Sequence, residues 1–563
     1  MKPVELKLSQ ATATAILGID TLWGGDVMNP SGTGRFIADS WFSDQPLPKA
    51  YKHPSAARLR KNGGVAGKQI DVAAVDAYLK AIDIPAAIGD LNEMAGVIQG
   101  LRGAYLQGLC ECLGVMWDLV QERLDRGPAV PYERCVVAST GRAPTPSDPV
   151  AKRERVAELL ARQGYQSGTR AKLLAAVDAW RRERMVPKKS IAMLADACIA
   201  QFDAGAAKHI APYLPRALRD VPRANIQFFA IEDAWFSGSM NYLGRARNRD
   251  CSPQYEATYE INASLEISVP EFMQLVSHEV VPGHVTTFAL LQALHVRRKL
   301  GFESTVLTMN TRCAALSEGI ANNAILMAFG VTEVDELPDL DLQIGTLLAL
   351  LQDDAKNQSS FLTWDRNWTT EKVRAALRND YLCSEERADK LSGAWGRHPL
   401  LGRMYLPAYR AGTVKVAALR KRHPPEKIIP ALYGALGMVD LVTIDQVLDP
   451  ETANVASLAK PWAVYLLTCH GGKSYIGISP SPQARFDVHQ AGRGGAFTRA
   501  NRPQALAAIV WFENRSAAAS MEVRLKALER PAKLQWFQEF APTTASSPAT
   551  LDHGLASLSR NRR

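Results

Sequence analysis

The run His278-Glu279-Val280-Val281-Pro282-Gly283-His284 constrains this chain more than any other stretch, because it puts two imidazoles and a carboxylate within seven residues. Imidazole suits Zn2+, and a glutamate beside the first histidine is placed to take a proton from water on the metal. In a regular helix, histidines spaced four apart lie nearly in line. Here the fourth position is Pro282 and the second histidine comes at the sixth, about 240° further round at ~100° per residue. Both rings face one ion only if the helix bulges or breaks around Val281-Pro282-Gly283. Pro282 removes a backbone donor and Gly283 widens the accessible φ/ψ space, so the sequence encodes that break.

The flanks fit this picture. Tyr255, Thr258, Tyr259, Ile261, Leu265 and Ile267 give the segment 255–267 the β-branched and aromatic character of a strand or extended edge. An edge there is a place where a peptide could add as a further strand. Ser268-Val269-Pro270-Glu271 then reads as a capping box opening the helix that buries Phe272, Leu275 and Val276 and delivers His278 and Glu279. Downstream, Cys313 to Ala324 is a small-residue helix with Glu318 and Asn322 on one face. A carboxylate in apolar company is costly unless paired or metal-bound, which makes Glu318 the third candidate ligand beside His278 and His284. Further on, His398, Arg403, Tyr405 and Tyr409 could polarise a carbonyl or stabilise an oxyanion, with Arg403 and Tyr409 the foremost substrate candidates.

A chain of 563 residues exceeds what one core supports, so several domains are expected. Its charge of +9 is uneven: 460–563 holds 14 Lys and Arg against 6 Asp and Glu, leaving the remainder close to neutral. A basic C-terminal module on a neutral body points to a polyanion-binding surface. The eight cysteines form no CxxC pair, Cys110 and Cys112 being the closest, which argues for reduced thiols and a cytoplasmic setting. The N-terminus lacks the apolar core of a signal peptide, and no stretch reaches ~20 apolar residues, so no membrane partner is expected.

Residues 1–70 read as loops and short elements, and the blocks 72–126 and 152–185 as helical. The domain plan that follows is a mostly helical unit over 1–448, a linker at 449–460, a small module at 461–540 and a disordered tail at 541–563.

Two resemblances sharpen this plan. His278-Glu279, Pro282-Gly283-His284 and the later Ser317-Glu318-Gly319 resemble a bacterial family of metallopeptidase-like domains of unknown function, mostly helical, with HExxPGHH and a later EGWA-like sequence. Val285 replaces that family's next histidine, and Ile320 its tryptophan. The likeness implies a zinc-hydrolase-like fold with His278, His284 and Glu318 as ligands, Glu279 as general base and a peptide or amide substrate.

Residues 461–530 resemble the small stand-alone GIY-YIG nuclease domains, of α/β fold. Ala463-Val464-Tyr465 stands where GIY is expected and Ser474-Tyr475-Ile476-Gly477 supplies YIG. Arg485, His489, the glycine-rich run 492–495 and Glu522 follow in the family's order. The resemblance implies Mg2+ or Mn2+ on Glu522, charge neutralisation by Arg485, and proton handling by Tyr465, Tyr475 or His489. Lys473, Arg493, Arg499 and Arg502, with Arg515 and Arg524, offer phosphate contacts to nucleic acid. The expectation is a zinc hydrolase of peptidase or amidase type carrying a nucleic-acid-binding or -cleaving module. The alternatives are an endonuclease with the large domain as accessory, or a large domain recruited to biosynthetic amide hydrolysis.

Overall fold

The computed structural model describes residues 3–31, 37–62, 67–231, 238–262, 266–450, 462–512 and 515–540. Apart from Asp449 and Pro450, the expected linker lies outside these residues, as does the whole expected tail at 541–563. The chain divides into two units, Met1–Leu448 and Asp449–Arg563. No helix among the described residues is long and apolar enough to cross a membrane. The eight cysteines are free thiols.

The first unit begins with α1 (Pro3–Trp23), where loops and short elements were expected. This helix is buried on nearly every face, so it has no polar stripe to reveal its period. Thr12 and Thr21 satisfy their buried hydroxyls on the carbonyls of Leu8 and Leu17 at 2.8 and 2.9 Å. After it come β1 (Ala38–Trp41) and the buried α2 (Gly100–Arg123). Next is a three-stranded sheet of β2 (Ile226–Ile231), β3 (Gly238–Tyr242) and β4 (Ala257–Asn262) in the order β2-β4-β3. Within the segment expected as a strand or extended edge, of which 263–265 lie outside the described residues, Ala257–Asn262 is a strand, but a central one, parallel to β2 and antiparallel to β3. Its backbone is paired on both sides, which removes strand addition at β4.

Tyr259 and Ile261 of β4 pack in one core with Phe272 and Val276 of α3 (Val269–Glu279) and Phe288 of α4 (His284–Val296). Ser268 caps α3 by accepting from the Glu271 amide, and its hydroxyl donates to Glu271 Oε2 at 2.7 Å. Glu271 also takes Arg181 at 2.8 Å, so this cap is fixed by an ion pair as well.

Beyond β5 (Val306–Thr308), which pairs with β1, lie α5 (Arg312–Asn322), α6 (Leu340–Trp364) and α7 (Leu406–Arg422). α5 and α7 meet backbone to backbone: a Cβ on Gly412 would stand 1.8 Å from the Ala315 carbonyl oxygen. That close approach brings side chains of α7 and of the turn before it to the polar face of α5.

The second unit is a three-stranded antiparallel sheet, β7 (Lys473–Ser479), β6 (Trp462–Cys469) and β8 (Pro503–Phe512) in that order. The strand period of two sorts its faces. Val464 and Leu466 of β6 pack with Met521 and Leu525 of α10 (Arg515–Ala527) and Trp536 and Phe537 of α11 (Arg530–Phe540). Tyr465 and Leu467 point to the opposite face, where Phe486 of α8 (Pro482–Gln490) closes a second small core, followed in sequence by α9 (Ala496–Ala500).

Candidate functional site

In the first unit, α3 stops at Glu279 and α4 starts at His284, so the break encoded by Val281-Pro282-Gly283 is present. The Gly283 amide returns to the Ser277 carbonyl at 3.1 Å, and Tyr433 donates to the Pro282 carbonyl at 2.8 Å. A Cβ on Gly283 would lie 1.7 Å from the His278 carbonyl oxygen, so only glycine fits this return. The turn brings the His278 and His284 rings edge to face with centroids 4.8 Å apart.

α5 supplies the carboxylate. His278 Nε2 lies 3.4 Å from Glu318 Oε2, and His284 Nε2 lies 3.9 Å from Glu318 Oε1. Ligand atoms of these three side chains all fall within 4.8 Å of one another. Glu279 Oε1 stands 4.0 Å from His278 Nε2.

The hydrogen bonds around the trio set its protonation. Asn322 donates its amide to Thr413 Oγ1 at 2.9 Å, so its oxygen is what faces His278 Nδ1 at 2.8 Å. Nδ1 must then carry the proton, and Nε2 presents a lone pair toward the carboxylate. A lone pair 3.4 Å from a carboxylate oxygen calls for a proton or a cation between them. Glu318 Oε2 is buried with no hydrogen-bond partner, while Tyr405 donates to Oε1. Ser317 Oγ anchors His284 Nδ1 at 3.2 Å. Two imidazole nitrogens and one carboxylate, each second atom already committed, fit the three protein ligands of a catalytic Zn2+ site.

The electrostatics run the same way. Burial alone would raise Glu318, but the His278 imidazole against it and the charges of His284 and His278 hold it at about 2. Burial pushes Glu279 up to about 7, with the charge of Glu318 adding and that of His278 opposing. Burial takes His284 down to about 4. Burial also disfavours charge on His278, yet Glu318 and Glu279 together raise it.

Not every candidate reaches this cluster. Arg403 gives its guanidinium to Glu122 at 2.9 and 3.1 Å, to the Val130 and Pro399 carbonyls, and stacks over Trp364. Four of its five N–H groups are thus committed to scaffold partners, which places Arg403 in a structural tie and not with His278, His284 and Glu318. His398 is likewise paired with buried Asp26 at 2.9 Å. The Tyr409 ring lies under the Lys356 ammonium at 3.3 Å and against Tyr405 at 4.8 Å, one residue removed from Glu318. Sequence reasoning gave Tyr259 only a strand role, yet its buried hydroxyl has no hydrogen-bond partner and feels the charge of Glu279. No spacing rule ties position 259 to 279; only the sheet does.

In the second unit, Tyr465, Tyr475, Arg485, His489 and Glu522 come together around β6, β7, α8 and α10. Tyr465 Oη is 3.1 Å from His489 Nε2, and His489 Nδ1 is 2.7 Å from Thr498 Oγ1. Thr498 donates its own hydrogen to the Gly495 carbonyl at 3.0 Å. It therefore accepts from His489 Nδ1–H, which leaves Nε2 to accept the Tyr465 proton. Burial pushes Tyr465 up to about 12, with Tyr475 and Glu522 adding and Arg485 opposing. Burial, then the charge of Arg485, lowers His489. Glu522 Oε1 is held by Lys526 at 2.8 Å, an i,i+4 contact with a half-exposed ammonium. Such contacts are worth about 0.3–0.5 kcal/mol, so this one does not bar the carboxylate from a divalent cation. Lys473, Arg493, Arg499, Arg502 and Arg524 are all exposed, and the Arg515 side chain lies outside the described residues.

Residues 461–535 match the GIY-YIG catalytic domain. A UPF0213 protein of Xanthomonas axonopodis pv. citri is 42% identical over 79 residues, which are 14% of this chain and 78% of the relative. One from Neisseria gonorrhoeae is 35% identical over 81 residues, 14% of this chain and 89% of the relative. Through its second unit, the chain belongs to the GIY-YIG family. Two solved structures are similar over a larger span. A Colwellia psychrerythraea protein aligns with 71% of this chain and 72% of its own at 15% identity and TM-score 0.44. A Shewanella oneidensis protein of unknown function aligns with 70% and 76% at 13% identity and TM-score 0.39. The GIY-YIG domain marks the second unit as a nuclease domain.

Proposed function

We propose that this protein cleaves nucleic acid with its GIY-YIG unit in a Mg2+- or Mn2+-dependent reaction. The observation that carries this is the Tyr465–His489–Thr498 relay beside Arg485, with its protons ordered by Thr498. Tyr465 takes the proton of the attacking water as it passes its own to His489 Nε2, and neutral His489 is ready to receive it. Arg485 neutralises charge gathering on the phosphoryl oxygens. A divalent ion on Glu522 would supply Lewis acidity toward a phosphate oxygen. Lys473, Arg493, Arg499 and Arg502 hold the backbone without reading sequence. The test is cleavage of a labelled oligonucleotide by the full chain, with and without EDTA. Glu522→Ala and Arg485→Ala should each stop cleavage while Glu522→Ala still binds. Cleavage that survives EDTA would sink the reading.

The lone-pair contact between His278 and Glu318 favours a second reading, a zinc hydrolase in the large unit acting on a peptide or amide. His278, His284 and Glu318 would hold the ion, which would polarise a carbonyl and acidify water. Glu279, raised to about 7, takes the proton and returns it to the leaving nitrogen. The partnerless Tyr259 hydroxyl is the donor at hand for the oxyanion. Metal analysis of the purified protein decides it: about one zinc per chain, lost in His284→Ala and Glu318→Ala.

A further inference from the structure

Phosphate contacts and the proton relay leave one feature of the second unit without a task. Phe497 is 42% exposed, although it sits beside the catalytic cluster. Its ring lies 6.0 Å from Tyr475 at an interplanar angle of 25°, and Tyr475 lies 5.1 Å from His489. The aromatic surface thus runs from solvent to the reacting groups.

The backbone that carries the ring is tied down. Next to it, Thr498 is bonded to His489 Nδ1 at 2.7 Å. Asn501 donates to the Phe497 carbonyl at 3.0 Å and accepts from Lys473 Nζ at 2.8 Å. Arg493 and Arg499, both exposed, flank it in sequence.

A single exposed phenylalanine is ordinary on a protein surface. One that continues a catalytic aromatic stack, with exposed arginines on either side of it in sequence, has a chemical match. Cations take phosphates, and an aromatic face takes the face of a base. In a continuous duplex the bases are stacked on one another and offer no face.

We propose that Phe497 and Tyr475 form a stacking platform for an unpaired nucleobase next to the scissile phosphate. The unit then selects single-stranded or locally unpaired nucleic acid over continuous duplex. The inference rests on the nuclease reading above, and DNA and RNA supply the same base face.

The test measures binding by the full chain in EDTA, so that nothing is cut, to single-stranded DNA, single-stranded RNA and blunt duplex DNA of one length. Single strands should bind more tightly than duplex, and the DNA and RNA arms tell which sugar is preferred. Phe497→Ala should weaken single-strand binding by about tenfold, the scale of one base–aromatic stack, and leave duplex binding within about twofold. Phe497→Trp should restore it. Equal losses on single strand and duplex, or no loss at all, would overturn the platform. Absence of any salt-sensitive binding by the unaltered chain would remove the nuclease reading with it, whereas binding indifferent to Phe497 would remove the platform alone.

Discussion

Glu279 and Tyr259 separate chemistry from scaffolding at single positions. Glu279 is assigned the proton and not the metal, so Glu279→Gln should keep zinc by metal analysis and lose amide hydrolysis by about 100-fold or more. Full activity in that variant would exclude Glu279 as the base. Tyr259→Phe removes a buried hydroxyl that no protein group satisfies. Its melting temperature should hold or rise, since an unsatisfied buried hydroxyl costs about 1–3 kcal/mol, while turnover falls. A loss of both would mean that the hydroxyl has a structural partner. At this scale the sequence was readable where chemistry is local. His278 and His284 are marked by their run, Glu318 by a carboxylate on a small-residue helix, and Tyr465 and Glu522 by the GIY-YIG resemblance. Arg403 misled because a guanidinium near a conspicuous Tyr-rich run looks catalytic, and only folding reveals Glu122 as its partner. Asn322 was seen on the right face of its helix, but its bond to His278 depends on how α5 meets α3.

Elements set the precision of the His278, His284 and Glu318 trio. Asn322 links α5 to Thr413 on α7, and Thr413 is within 3.0 Å of Asp353 on α6. Asn322→Ala should weaken zinc binding by about 10–100-fold with little change in melting temperature, as loss of a ligand's orienting partner does. Gly412→Ala should behave differently. Its added carbon collides with the Ala315 carbonyl, so α7 must move off α5. Both the melting temperature and zinc affinity should drop, with a stability cost of about 1–3 kcal/mol. The helix break at Pro282-Gly283 was legible because proline and glycine act on their own backbone. The place of β4 was not, because a strand's rank in a sheet is fixed by partners, here at 226–231 and 238–242, that carry no mark in the strand itself. α1 escaped for a related reason: a helix buried all round shows no alternation to read.

At the scale of the whole molecule, the charge asymmetry falls where the chain divides into its two units. We expect truncation near Val455 to leave a folded 1–455 fragment with the same zinc content as the full chain. The 456–563 fragment should retain nucleic-acid binding that weakens roughly fiftyfold or more between about 50 and about 200 mM salt if about four phosphates are contacted. A large fragment that unfolds would mean a shared core, and salt-insensitive binding would clear the basic surface of responsibility. The hydrogen bond from Tyr405 to Glu318 carries a consequence in time. The two residues are 87 positions apart, so at about 5–20 residues per second the ribosome releases the ligand some 4–17 s before its clamp. All three ligands are out in the cell while α6 and α7 are still being made. If the trio holds an ion, a nascent chain can grip it only loosely and cannot close over it, and choice among competing ions is deferred until synthesis has moved past the clamp.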